Sequence, residues 1–227
     1  MTKFFSPKKI RNGTGSPCRE YFDGFFYEYF PKLFFQKEIS ILDIGCGSGY
    51  VRKIFEDLGY KIFYTGVDVK KHFDFDKFGG EFVNSKIEDF NIDKKFDLII
   101  SICALEHIKN DVLAISKAKE FMKEDGIQVH IVPTHWSFPL YLHHGYRRYG
   151  VARLRKLFGN SSEIYRVGGL FSFILHFFLI TIPKRIFNSK KSSKIYLGIL
   201  NISNKLDFFL PILSPMYIVI KRNGNSK

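Results

Sequence analysis

Three glycines at alternate positions carry the densest chemical signal in the chain. They lie in Leu42-Asp43-Ile44-Gly45-Cys46-Gly47-Ser48-Gly49, directly after the apolar run Ile39–Ile44. Glycines so spaced let the backbone turn sharply and let a ligand approach the main chain closely. Counted from Gly45, the sixth residue is Tyr50, a bulky side chain where a dinucleotide fingerprint needs glycine for close helix packing. No Gly-Lys-Ser/Thr follows, so the phosphate cradle of a P-loop is missing too. The turn therefore suits a nucleoside-like ligand that brings no pyrophosphate. Asp68 supplies the second half of such a site, 19 residues past Gly49 at the end of the run YTGVDV. At the carboxyl end of a strand beside the glycine turn, a carboxylate accepts both hydroxyls of a ribose. Capping of the following turn is the plainer alternative for this residue.

The elements that must position these groups alternate in type. Strand-like runs at Ile39–Ile44, Ile62–Val69, Glu81–Val83, Phe96–Ile102 and Gly126–Val132 are interleaved with helix-like stretches at VRKIFEDLG and Asp111–Met122. Such alternation implies right-handed βαβ units and a parallel sheet with helices on both faces. Ahead of them, Ser16-Pro17 is a helix start. Phe22, Phe25, Phe26, Tyr29 and Phe30 recur at helical spacing, predicting an aromatic-faced helix that ends near Pro31. Beyond Pro133 we read a basic helix at Ala152–Phe158, short strands at Glu163–Val167 and Met216–Lys221, and a disordered polar tail.

At this point the sequence resembles the class I S-adenosylmethionine-dependent methyltransferases, over about residues 39–134. LDIGCGSG is similar to their first motif and GVDV to their acidic second motif. FDLIISICALEHI resembles their fourth strand with the loop after it, and KEDGIQVHIVP their fifth. The resemblance implies a Rossmann-like, doubly wound, mostly parallel seven-stranded sheet with an antiparallel last strand, and S-adenosylmethionine as cofactor. Gly45, Gly47 and Gly49, with Cys46, would then line its methionine portion, and Asp43 would help to hold its ammonium group. Asp68, with Val69, would bind the ribose, Ile87 and Glu88 would fall against the adenine, and Ser101 would complete the set. Asn84-Ser85 stands where the family has an acid.

Methyl transfer from a sulfonium is an in-line displacement that needs a base only where the acceptor carries a proton of high pKa. Glu106-His107, just past the fourth strand, is the nearest candidate base pair, with packing and turn capping as the alternative. His135 and His143 belong to a second cluster after the fifth strand, with Trp136, His144, Tyr146, Arg147 and Arg148. There a histidine would serve as base and the arginines would hold an anionic acceptor, against the alternative of a polar surface loop. CALEH is similar to the ExxEH metal-binding stretch of ubiquinone-pathway O-methyltransferases. Cys103 replaces its first glutamate and removes a hard oxygen ligand, so we expect no metal.

Composition bounds the rest. Hydrophobic residues make up 45% and charged residues 25%, excluding intrinsic disorder and a polytopic membrane protein. Three dispersed cysteines without a CxxC argue against a disulfide framework or zinc site, and MTKFFSPKKIRNG has no signal-type apolar run, so a cytoplasmic location is expected. Residues 1–140 carry 20 Lys+Arg and 20 Asp+Glu, whereas residues 141–227 carry 15 Lys+Arg and 2 acids, so the whole +13 resides in the last third. Leu170–Ile182 is an apolar block too short to span a bilayer. With Arg166 before it and Lys184, Arg185, Lys190, Lys191 and Lys194 after it, it suits the headgroup region of an anionic membrane, or else a buried helix or dimer contact. The expected organisation is an N-terminal helical extension over 1–38, a core over 39–167, a basic aromatic insertion over 168–212, and a last strand with tail over 213–227. The expected activity is methylation of a small or lipid-linked acceptor at oxygen, at the membrane's inner face. An RNA methyltransferase, disfavoured by the lack of an NPPY-like motif, and a non-catalytic cofactor-binding or membrane adaptor are the rivals.

Overall fold

Every apolar run read as a strand forms one, and an eighth strand joins them. The computed structural model describes residues 1–10, 16–141, 145–182 and 194–223. In chain order the strands are β1 (Lys3–Phe5), β2 (Glu38–Ile44), β3 (Lys61–Asp68), β4 (Glu81–Asn84), β5 (Phe96–Ile102), β6 (Met122–Pro133), β7 (Glu163–Val167) and β8 (Met216–Arg222). They form one sheet in the order β1-β7-β8-β6-β5-β2-β3-β4. Only β8 runs against its neighbours β6 and β7. The expected count of seven is thus corrected to eight, because Lys3–Phe5 pairs in parallel with Tyr165–Val167 at the sheet edge. Three residues without an apolar/polar rhythm give no strand signal on their own; pairing with β7 creates this strand.

Helices cover both faces of the sheet. They are α1 (Pro17–Leu33), α2 (Val51–Asp57), the single turn α3 (Phe75–Phe78), α4 (Asp111–Glu120), α5 (Val151–Phe158), α6 (Leu170–His176), continued by a π turn over Phe177–Thr181, and α7 (Lys194–Phe209). Strand β2 shows why: Ile39 and Ile41 join the core under α1 and α2, while Leu42 and Ile44 join the core under α4 and α5. Alternate side chains of a strand face opposite sides, so a continuous apolar run needs cover on both.

The Ser16 hydroxyl caps α1 by accepting from the Arg19 N–H at 3.4 Å, and Pro17 occupies the first turn as expected. The helix runs to Leu33 with Pro31 inside its last turn, two residues past the predicted end. Its aromatic face is the centre of one core: the Phe30 and Phe55 rings lie 4.2 Å apart, and Phe26 meets Phe55 edge-on at 5.5 Å.

The apolar block Leu170–Ile182 forms α6 with its π turn, and α6 packs against α7 and α1. Helix α7 had no separate signal in the sequence. No described helix is long and apolar enough to cross a membrane. Lys184, Arg185, Lys190 and Lys191, like His143, His144 and residues 224–227, lie outside the described residues.

Candidate active site

Strands β2 and β5 are neighbours from which the chain winds in opposite directions, and their carboxyl ends open a crevice of the kind that binds ligands in open α/β sheets. The glycine turn forms its floor. Gly45 has a φ of +68°, and a side-chain carbon there would stand 2.4 Å from Ala104 Cβ, so the loop after β5 approaches the turn as closely as it does only because residue 45 is glycine. Gly49 has a φ of +71° and abuts the Phe75 ring, so its role is packing and it lines neither cavity described below.

Two cavities meet at this turn. The larger, about 500 Å³, is lined by Gly45, Asp68, Val69, Ile87, Glu88 and His107 among others. The smaller, about 290 Å³, is lined by Asp43, Cys46, Gly47, Arg19, Tyr50 and Tyr141 among others. Gly45 and Cys103 line both. Cys103 holds a left-handed φ of +51°, a conformation rare for a side-chain-bearing residue, and its N–H donates to the Ile131 carbonyl at 2.9 Å.

Asp68 stands at the mouth of the larger cavity. One carboxylate oxygen accepts the Gly47 N–H at 3.0 Å and the other the Lys70 N–H at 3.4 Å, which fixes the carboxylate against the glycine turn while each oxygen keeps acceptor capacity. Asp43 lies deeper and is buried. It accepts the Tyr64 hydroxyl at 2.6 Å and makes no ion pair among the described residues. Burial pushes its pKa up to about 7, the Tyr64 hydrogen bond opposes this, and the Asp68 charge adds to it. A buried carboxylate facing a cavity in this state is a strong attractor for a cation.

The sequence-predicted catalytic groups separate. His107 lines the larger cavity, and partial burial together with the Arg148 charge lowers its pKa, so its ring is neutral at pH 7. Glu106 is fully buried and lines neither cavity. Gly145 sits against its side chain, its carbonyl accepts the Tyr146 N–H at 2.6 Å, and burial raises its carboxyl to about 7. His135 is exposed on a single 3₁₀ turn and lines neither cavity. Ser101 also requires correction: its hydroxyl pairs with His130 Nδ1 at 2.7 Å inside the sheet, and His130 Nε2 pairs with Gln128 at 2.9 Å. The two-residue alternation of β5 turns Ser101 away from Ile102, which does line the smaller cavity. His130 is wholly buried and pushed down to about 3, so it stays neutral.

Arg147 and Arg148 are likewise engaged within the protein. Arg147 donates to the Ile108 and Lys109 carbonyls at 2.7 Å each and lies 3.4 Å from Asp111; Arg148 donates to the Tyr141 carbonyl at 2.7 Å. Asp111 also takes a bidentate contact from Arg153 and the Tyr149 hydroxyl. These bonds strap residues 145–149 onto the loop after β5 and bring Tyr146 to the larger cavity. Among the described residues no group of three or more His, Cys, Asp and Glu side chains converges as a metal site would require.

The side chains that α1 and its neighbours bring to the smaller cavity were not foreseen from sequence. The Arg19 guanidinium lies 3.2 Å above the Tyr50 ring, and the Tyr50 hydroxyl is buried without a hydrogen-bond partner among the described residues. Ser16-Pro17 marked where the helix starts, but spacing alone does not say which flank meets the glycine turn.

A family model described as a methyltransferase domain matches residues 19–163. The malonyl-[acyl-carrier protein] O-methyltransferase of Acetivibrio thermocellus is 27% identical over 109 residues, covering 45% of this chain and 38% of that protein. A ubiquinone biosynthesis O-methyltransferase of Pelagibacter ubique is 31% identical over 100 residues, 40% of each. The chain thus spans about two fifths of the length of these curated relatives. The crystal structure of a SAM-dependent methyltransferase from Archaeoglobus fulgidus has a TM-score of 0.59 at 19% identity, covering 90% of this chain and 94% of that one, a likeness of fold. With its glycine turn, its acid at the end of β3 and its sheet order inside the matched span, the chain belongs to the methyltransferase domain family.

Proposed function

We propose that this chain is an S-adenosylmethionine-dependent methyltransferase acting at oxygen on a small or lipid-linked acceptor. The observation that carries the reading is the pair of cavities joined at Gly45 and Cys103, one presenting the Asp68 carboxylate and the other the buried Asp43. These carboxylates fit the cofactor: Asp68 offers acceptors to a ribose diol, and Asp43 offers a buried carboxylate without an ion pair among the described residues to an ammonium group. When bound, S-adenosylmethionine supplies an electrophilic methyl group on a sulfonium sulfur.

The protein's own part is binding, orientation and exclusion of water. Ile87 and Val69 give the larger cavity an apolar wall, with Glu88 and Lys86 at its polar side. In the smaller cavity Tyr50 is held neutral by burial, so its hydroxyl acts as a hydrogen-bond donor rather than a base. Arg19 favours an anionic group nearby. Among the described residues no histidine lines this cavity. An acceptor oxygen that arrives as an anion, such as a carboxylate or acidic phenolate, is the kind of group the Arg19 guanidinium attracts, which supports oxygen as the methylated atom.

Calorimetry with S-adenosylhomocysteine tests the binding half. Transfer of tritiated methyl into fractionated lipid, small-molecule and RNA pools tests the acceptor. Binding with label entering the lipid or small-molecule pool is expected, whereas label entering only RNA, or no uptake of the nucleoside, overturns the proposal.

A further inference from the structure

Helix α7 reverses its facing along its length. Tyr196, Leu197 and Leu200 pack toward the core in its first half, whereas the stripe it buries beyond them is Ser203, Asn204 and Asp207, all polar. Asn204 accepts the Ser6 hydroxyl at 2.7 Å and donates to the Pro7 carbonyl at 2.7 Å. Asp207 caps α6 by accepting the Phe171 and Ser172 N–H groups at 2.8 and 3.1 Å, and it takes the Tyr21 hydroxyl at 3.3 Å. The outward stripe is apolar: Ile202, Leu206 and Phe209 follow one another at helical spacing with Phe208 beside them, and Ile202, Phe208 and Phe209 are 61%, 67% and 76% exposed. The π turn after α6 adds exposed Phe178 and Leu179. A surface helix ordinarily turns its apolar stripe to the core, and an exposed apolar face marks a surface made to be covered.

Charge identifies the cover. Between Glu163 and Asp207 the sequence holds seven Lys+Arg and no acid. Both flanking carboxylates are committed, Glu163 to Lys3 at 2.6 Å and Asp207 to the cap just described. In the sequence the apolar stripe therefore belongs to a run rich in positive charge, with Lys205 exposed on α7 itself. A second copy of the chain would bring like charge to the contact, and a nucleic acid could stack bases on the phenyl rings but would leave the aliphatic Ile202 and Leu206 without an apolar partner. We infer that the outward face of α7 docks on an anionic lipid bilayer, with Ile202, Phe208 and Phe209 entering the headgroup boundary and Lys205 at its polar edge. This moves the membrane surface expected over Leu170–Ile182 mainly onto α7.

Flotation of the full chain with phosphatidylglycerol/phosphatidylcholine vesicles at low salt tests the inference. The protein should float with these and not with phosphatidylcholine alone. The Ile202→Ser/Phe208→Ser/Phe209→Ser variant should lose at least about tenfold in bound fraction while keeping its melting temperature. S-adenosylhomocysteine binding by the same variant is read separately, so failure of the cofactor proposal is distinguishable from failure of this one. The chain has one tryptophan, so Phe209→Trp in a Trp136→Phe background gives a direct second readout. The emission of the introduced indole should shift to the blue and be quenched by brominated phospholipid. No flotation by the parent chain, equal flotation by the triple variant, or an unchanged emission from the introduced indole overturns the inference. So does a dimer that the triple variant splits without any vesicle binding, or retention of an RNA oligomer without flotation.

Discussion

Helices α1 and α7 both contribute to the core on one side of the sheet, yet they use apolar residues in opposite ways. Helix α1 places Phe22, Phe25, Phe26 and Phe30 inside, where Phe25 meets Phe26 edge-on and Tyr165 at a tilt, and Phe26 and Phe30 pack on Phe55. Helix α7 places Ser203, Asn204 and Asp207 inside and its phenylalanines outside. The difference teaches that apolar content does not by itself say which way a helix faces. Helix α1 is anchored by burial of rings. Helix α7 is anchored by Leu200 with Tyr196 and Leu197 over its first half, and beyond them by side-chain hydrogen bonds that hold the first residues of the chain and the start of α6, which leaves its outward apolar face for something else.

The largest expected effect breaks α1. Phe30→Ala should cost about 3–5 kcal/mol in urea unfolding, because a buried ring surrounded by Phe34, Phe55 and Tyr60 leaves a cavity. On the α7 side, Asp207→Ala should cost about 1–3 kcal/mol, because the buried Ser172 N–H and the half-buried Phe171 N–H lose their acceptor. Asp68→Ala touches neither helix. It should weaken S-adenosylhomocysteine binding at least about tenfold in calorimetry with little change in melting temperature.

A pH series sharpens the contrast between buried acids and surface charge. Asp23, Asp43 and Glu106 are each raised by burial to about 7 in the folded chain. Between the ordinary carboxylate range and pH 7 the folded chain keeps protons that the unfolded chain has released. Ligand-free stability should therefore fall as pH rises through that window and level off above it. Asp43→Asn should flatten part of the slope. Cofactor-analogue affinity should rise with pH over the same range in the parent chain, since an ionised Asp43 is what attracts an ammonium group. The smallest effect is expected at the outward face of α7, where Phe208→Ser should change unfolding free energy by no more than about 0.5 kcal/mol.

Much of the site was legible because its signals are local. Gly45 and Asp68 could be assigned to a turn and a strand end from their immediate neighbours, and the alternation of strands with helices, which makes the sheet parallel, placed both at its carboxyl edge. Glu106 and His107 could be placed just past β5, but whether each side chain enters the crevice depends on the strap built by Asp111, Arg147 and Arg153, which joins residues about forty positions apart. Ser101 was misplaced for a related reason: one residue along a strand reverses the face, and the end of β5 is set by its pairing with β6.

The amino-acid sequence alone determined the alternating strand and helix order, the glycine turn, the acid after β3 and the concentration of positive charge in the last third, because each depends on neighbouring residues or on composition. Tertiary structure decided which flank of α1 closes the smaller cavity, that Lys3–Phe5 joins the sheet edge, and that α7 turns its polar stripe inward. These outcomes depend on partners distant in the chain. Ser6 and Pro7 meet Asn204, and Tyr21 meets Asp207, only once the sheet has brought the first and last parts of the molecule together.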